Sequence, residues 1–448
     1  MKLLKIFLAT IFLCFLISVG SAGAQEILKE YPELKQLADF VGVDQISILH
    51  LTAYKAANFA LKELKIEKGS KDLLVITDAG YMAKIGEYST EKALDGVMFA
   101  SGASRTKGNL VVVHRSFNDP LWFAFFDKKS NCCIYMEVNS SLLKLWLEHE
   151  SSGKVNLSEF MKIDLDLIFK KISKVEIDPD VLITEDGAKA WHNNFVNKTL
   201  GGNEFSIVTI VAVWKKGMSY ELLKAAEFHN HICPGLISGL YIAEYLNKYH
   251  PINLSKGESW VVWALPPWCK DDALQQVLDS TVGKRRMAVM YIPSDIKEKM
   301  YDQYKSIAGI YVKIDKSGNA KAIVIGWNWS KVFKDCNVKR EYFKDFKTYR
   351  WWWARLRCNV LMLDHKPEEY VSVLRVIDLG NQGSIKKMNA KWMKVGFNPL
   401  EELDLMPKVK KEEVIEVIPA WVYAVIGLNF ILVAIVVYCV VKLKKLRR

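Results

Sequence analysis

Apolar residues recur at helical spacing over Lys55–Leu64 and again over Leu240–Tyr249, and both stretches are predicted as helices. Shorter apolar runs between and after them read as strands. In the first half these are Leu73–Thr77, Leu110–Val113, Trp122–Phe126 and Cys133–Val138; in the second they are Trp260–Leu265, Met287–Pro293, Ile310–Ile314 and Ala320–Trp327. Asp315-Lys-Ser-Gly-Asn319 supplies turn residues for a hairpin joining the last two. The same order of elements therefore occurs twice.

Three segments carry the repetition. Leu51–Leu64 matches Leu236–Tyr249 in apolar pattern at an offset of 185 residues, and Ala38-Asp39-Phe40 matches Ala226-Glu227-Phe228. The stretch Asp95–Lys107, with the apolar run Leu110–His114 behind it, matches Asp272–Lys284 and Met287–Tyr291 at an offset of 177. Such spacing points to a tandem duplication of one α+β unit with a largely antiparallel sheet. The first copy is placed at residues 25–150 and the second at 206–338. Residues 151–205 are expected to link them, 339–395 to form an extension, and 396–417 to be a charged stalk.

Both ends read as addresses. Residues 1–24 have a basic start, an apolar run from Ile6 to Val19, and Ala22-Gly23-Ala24, the pattern of a cleaved signal peptide. Ile418–Val441 contains no charge and one strongly polar side chain, Asn429. As helix it would extend about 36 Å, enough to cross the hydrocarbon of a bilayer. Trp421, Tyr423 and Tyr438 lie near its ends, and the basic tail 442–448 follows. Positive charge stays on the cytoplasmic side, so a single-span protein with nearly all of its mass outside the cell membrane is expected.

The chain has 448 residues, 50% hydrophobic, 25% charged and 12% aromatic, which excludes a disordered polymer. Its net charge of +12 is concentrated at the ends: two leader lysines and five tail residues supply seven of the twelve. Charge therefore gives no case for a nucleic-acid partner; the partners expected are the bilayer, a metal or small ligand, and the two copies for each other as a pseudo-dimer. Five N-x-[ST] sequons, at Asn139, Asn156, Asn197, Asn253 and Asn328, are compatible with surface glycosylation. No C-x-x-C pair occurs among the eight cysteines, so neither a zinc ribbon nor a thioredoxin-type dithiol is written locally.

Candidate chemistry lies in the second copy. Phe228-His229-Asn230-His231-Ile232-Cys233-Pro234-Gly235 is the densest group of soft and borderline ligands in the chain. Extended, H-x-H-x-C would place His229, His231 and Cys233 on one side; the same residues also fit a turn with exposed histidines and a buried thiol. A cysteine just ahead of a helix has its thiolate favoured by the unpaired N–H groups there.

The run Phe228–Gly239 resembles the opening signature of the FmdE family, close to F-H-G-H-x-C-P-G-x-x-x-G, and Cys269-Lys-Asp-Asp272-Ala-Leu-Gln275 is similar to its C-x-x-D-[AG]-x-Q. The resemblance implies two tandem FmdE-like domains of α+β fold, the first degenerate, in a membrane-anchored archaeal type. It also implies a cleft of Cys and His holding zinc or another transition metal. The ligands expected are His229, His231, Cys233 and Cys269, with Gln275 contacting a bound molecule. If the protein is instead a thiol enzyme, Cys233 is the nucleophile, His229 or His231 its base, and Asp272 a proton acceptor or orienter; a small-solute receptor is a third reading. Asn230 departs from the family's glycine, and Ser280 stands where many members have another cysteine. The first copy has Val41–Gln45 where the ligands should be and Lys92 opposite Cys269. Tyr349-Arg-Trp-Trp-Trp-Ala-Arg-Leu-Arg357 is expected to pack its tryptophans and leave its arginines wet.

Overall fold

The computed structural model describes residues 26–346, 348–408 and 420–446. The signal segment and part of the stalk lie outside them. Residues up to Asn398 form one compact unit, and Pro399 onward a second.

In the first repeat, α1 (Lys35–Val41) and α2 (Ile48–Leu64) precede β1 (Leu73–Thr77), the small hairpin β2 (Lys84–Ile85) and β3 (Tyr88–Ser89), and α3 (Lys92–Ser101). Then come β4 (Leu110–Val112), β5 (Trp122–Asp127), β6 (Cys132–Val138), α4 (Ser140–Ser151) and β7 (Phe169–Glu176). The segment α5 (Glu204–Lys216) leads into the second repeat. There α6 (Tyr220–His229) and α7 (Pro234–Tyr249) precede β8 (Ser259–Ala264), α8 (Lys270–Val277), β9 (Met287–Val289), β10 (Ile307–Ile314) and β11 (Asn319–Trp327). The series closes with α9 (Trp329–Asp335), α10 (Tyr349–Met362), β12 (Val371–Asn381) and α11 (Ile385–Trp392).

The two five-stranded sheets have one topology. Their orders are β4-β1-β5-β6-β7 and β9-β8-β10-β11-β12, each with a single parallel pair at one edge and antiparallel pairs elsewhere. The sheets are therefore mixed. Residues 151–205 and 339–395 prove to be more than linker and extension, because each supplies the fifth strand of its sheet.

One face of the first sheet packs Val75, Phe123, Phe125 and Met136 against its own helices. The other face, with Ile76, Trp122, Phe126 and Tyr135, shares a continuous core with α5 to α7 and the second sheet. Burial on both faces explains why β1, β5 and β8 read as unbroken apolar runs rather than alternating ones.

Four of the sequon asparagines act as helix caps: Asn139, Asn156, Asn253 and Asn328 each accept a backbone N–H from the first turn of the helix that follows. The Tyr349–Arg357 stretch is helical. Trp352 and Trp353 are buried, but Arg355 and Arg357 are not wet, since their guanidinium groups donate to backbone carbonyls of Trp351, Phe343, Cys336 and Ile183.

In the second unit Ala420–Leu446 is a helix, α12, that includes residues 420–441 of the predicted span. Its side chains are described only in part, and among the described residues no helix is long and apolar enough to cross a membrane.

Candidate metal centre

Three helix ends meet at the chemistry predicted from the sequence. His229 is the last residue of α6, Cys233 is the N-cap of α7, and Cys269 is the N-cap of α8. One ligand atom from each lies within 4.8 Å of the other two. Proline at the first position of α7 costs nothing, because its missing N–H would be unpaired there.

Asn230 turns the chain between His229 and Cys233. It sits at φ 60°, in the left-handed region that glycine enters freely and asparagine tolerates better than most residues. Hence the family's glycine at this position and its replacement here follow from one backbone requirement. The turn also breaks the extended geometry assumed from H-x-H-x-C. His231 does not join the three-ligand group but lies beside it: its ring packs 4.3 Å from that of His229 and 5.0 Å from that of Phe205, and its Nδ1 lies 3.0 Å from Asn230 Oδ1.

The next two glycines of the signature are close-approach positions. A Cβ on Gly235 would lie 3.0 Å from Cys269 Cβ and 3.3 Å from its Sγ. One on Gly239 would lie 2.3 Å from the Lys270 carbonyl oxygen. Both glycines allow α7 to touch the start of α8, which brings the two sulfurs together.

The surrounding groups set the protonation. Asp272 Oδ2 is 2.6 Å from His229 Nδ1, leaving Nε2 directed at the sulfurs, 3.8 Å from Cys233 Sγ. Burial works against charge on His229, but the hydrogen bonds from Asp272 and Cys269 outweigh it and push the imidazole up to about 9. Cys269 is held down to about 5, first by a hydrogen bond with Cys233 and then by His229. The same bond, with burial, raises the Cys233 thiol well above its ordinary value. Burial, then the charges of His229 and Arg355, lower His231 to about 3, so it is neutral at physiological pH. Gln275 donates to Asp272 Oδ1 at 3.4 Å, which places it behind the carboxylate that orients His229.

The donor set fits a metal ion. A tetrahedral zinc with one nitrogen and two sulfur ligands needs N···S edges of about 3.5 Å, near the separation seen here. Asp272 supplies the carboxylate partner that ligating histidines almost always have.

Several supporting residues carried no signal of their own in the sequence. Thr209 Oγ1 accepts the Ile232 N–H, and Asn359 Nδ2 donates to the Ile232 carbonyl, fixing the turn from both sides. Lys270 is fully buried; its ammonium donates to Asp271 and to the Pro266 carbonyl, over the ring of Trp268. Glu227, ahead of the motif, spans to the first repeat: its carboxylate pairs with Arg105 at 2.7 Å, and its carbonyl accepts the His114 N–H at 2.7 Å.

The first repeat holds different residues at the corresponding helix ends. Ser47 is the N-cap of α2, and Glu91 precedes α3. Val41 ends α1 as His229 ends α6, Ser47 caps α2 as Cys233 caps α7, and Lys92, which begins α3 beside Glu91, is opposite Cys269 at the offset of 177. None of these supplies a soft ligand.

The profile of a family described as "FmdE, Molybdenum formylmethanofuran dehydrogenase operon" matches residues 228–353. This stretch is an FmdE domain. The match begins at Phe228, where the ligand signature begins, and ends within α10, so β12 of the FmdE sheet lies beyond it. No curated protein matches the chain.

Proposed function

We propose that the protein holds one transition-metal ion, zinc being the best match, through His229, Cys233 and Cys269, and presents it outside the cell on a membrane anchor. The convergence of one imidazole and two sulfurs from three helix ends carries the reading. Three protein ligands leave a fourth position for water or an exchangeable ligand, the arrangement of a working zinc site rather than a closed structural one. When bound, zinc would act there as a Lewis acid. Asp272 would orient His229, with Gln275 behind it. The anchor rests on the uncharged stretch Ile418–Val441 and the basic residues after it.

The test is to purify the full chain anaerobically and measure bound metal by elemental mass spectrometry. About one equivalent is expected, lost in Cys233→Ala and Cys269→Ala and kept in His231→Ala. No metal in any of them would sink the proposal.

A second reading draws on the thiolate. Cys269 beside the His229 imidazolium is a nucleophile poised near neutral pH, with Cys233 as its proton-sharing neighbour. The thiol-enzyme alternative thus moves from Cys233 to Cys269. Metal-free protein in which iodoacetamide alkylates Cys269 first would favour it.

A further inference from the structure

The parallel edge strand of each sheet has the same exposed face, but only one of the two is covered. Directly after β4, Val113 N–H donates inward to the Thr77 carbonyl, so the alternation of the extended chain turns the N–H groups of Val112 and His114 outward. Glu227 takes both. Its Oε1 lies 3.4 Å from Val112 N, and its carbonyl oxygen lies 2.7 Å from His114 N. Phe228 completes the contact by stacking on His114, with ring centroids 6.1 Å apart and planes 6° from parallel. Arg105, just before β4, closes on the Glu227 carboxylate.

In β9 the register repeats at the sequence offset of 177. Met290 N–H donates inward to the Ala264 carbonyl, as Val113 does to Thr77, so Val289 and Tyr291 take the outward positions of Val112 and His114. Among the described residues no acceptor meets either outward N–H. Val289 is 54% exposed and Tyr291 84%. Lys284, Arg285 and Arg286 precede the strand as Arg105 and Lys107 precede β4.

The complementary half is also left open. In the first repeat Asp39-Phe40 occupies, at the end of α1, the place of Glu227-Phe228 at the end of α6. Asp39 is exposed, and Phe40 is 63% exposed, its ring lying 4.9 Å from that of Phe99. One molecule therefore carries one closed copy of this contact and both unmatched halves of another.

We propose that β9 of one molecule receives α1 of a second copy of this chain, with Asp39 accepting the outward N–H groups and Phe40 stacking on Tyr291. The contact is head-to-tail: the donor surface and the acceptor surface are different, so association continues into a ring or an open row instead of stopping at a symmetric pair. On a membrane, with every molecule anchored the same way, the row would run in the plane of the bilayer.

The test uses the full chain in detergent micelles, followed by sedimentation velocity over a range of protein concentration. Wild type is expected to populate dimer and higher species as concentration rises. Phe40→Lys and Tyr291→Lys, both at exposed positions, should each sediment as monomer. Each variant keeps one intact half, so an equimolar mixture should yield species of twice the monomer mass and nothing larger. A monomeric wild type would overturn the proposal, as would single variants that associate like wild type. Wild type that stops at a dimer, with no dimer regained on mixing, would show a symmetric contact elsewhere and overturn it as well.

Discussion

Asn230 and Asp78 show how single residues carry constraints that a pattern of apolar positions does not reveal. Asn230→Gly should fold normally and bind metal as wild type does, because glycine enters the left-handed region without strain. Asn230→Val should cost about 1–2 kcal/mol and weaken metal binding at least tenfold, since His229 and Cys233 lie on either side of the turn. Denaturant midpoints together with metal titration would check both. Asp78 is a carboxylic acid with no exposed surface; its Oδ1 accepts the Trp122 N–H and its Oδ2 has no partner among the described residues. Burial pushes its pKa up to about 8. The native state then holds a proton that the unfolded chain gives up near pH 4. Stability is full below that value and falls as pH rises toward 8, by about 1.4 kcal/mol per unit at most. Urea unfolding at pH 5 and pH 8 should show the loss in wild type and a flatter dependence in Asp78→Asn; equal slopes would refute it.

At the level of elements, Gly239 is the tightest point between α7 and α8. Gly239→Ala should force the helices apart, costing about 1–3 kcal/mol, and should loosen the metal more than an equally destabilising change remote from the helix pair. Gly235→Ala tests the same contact nearer the ligands: its Cβ would press on Cys269 itself. Thermal melts paired with metal affinity would separate the two effects. The central strands and paired helices were legible in the sequence because they are continuous apolar runs or have clear helical periodicity. β7 and β12 were not. Both are edge strands of mostly half-exposed residues, β7 carrying Lys170, Lys171 and Lys174, and edges blunted with charge lose the apolar signal that marks a strand. In the site, His229 and Cys233 could be named from residue type and spacing, and Cys269 from the resemblance to the FmdE signature. The displacement of His231 could not, because it depends on the one left-handed residue between the histidines.

For the whole molecule, metal bound only by the folded state adds stability by mass action. A chelator should lower the melting temperature of wild type by several degrees and leave Cys269→Ala unmoved; an unchanged wild-type melt would mean that the ion is absent or does not bind selectively to the folded state. The duplication has a further consequence. The first repeat has no soft ligand at the helix ends that correspond to the site, yet its edge strand grips Glu227, two residues ahead of His229, by side chain and backbone together. At the proposed metal site, that copy would serve as a jig, holding the working copy's first ligand in place while taking no part in the coordination. A jig is bound to its workpiece: substitutions at Arg105 or in β4, remote from any sulfur, should be selected against as strongly as changes in the motif itself, and the two halves should be inherited and lost as one.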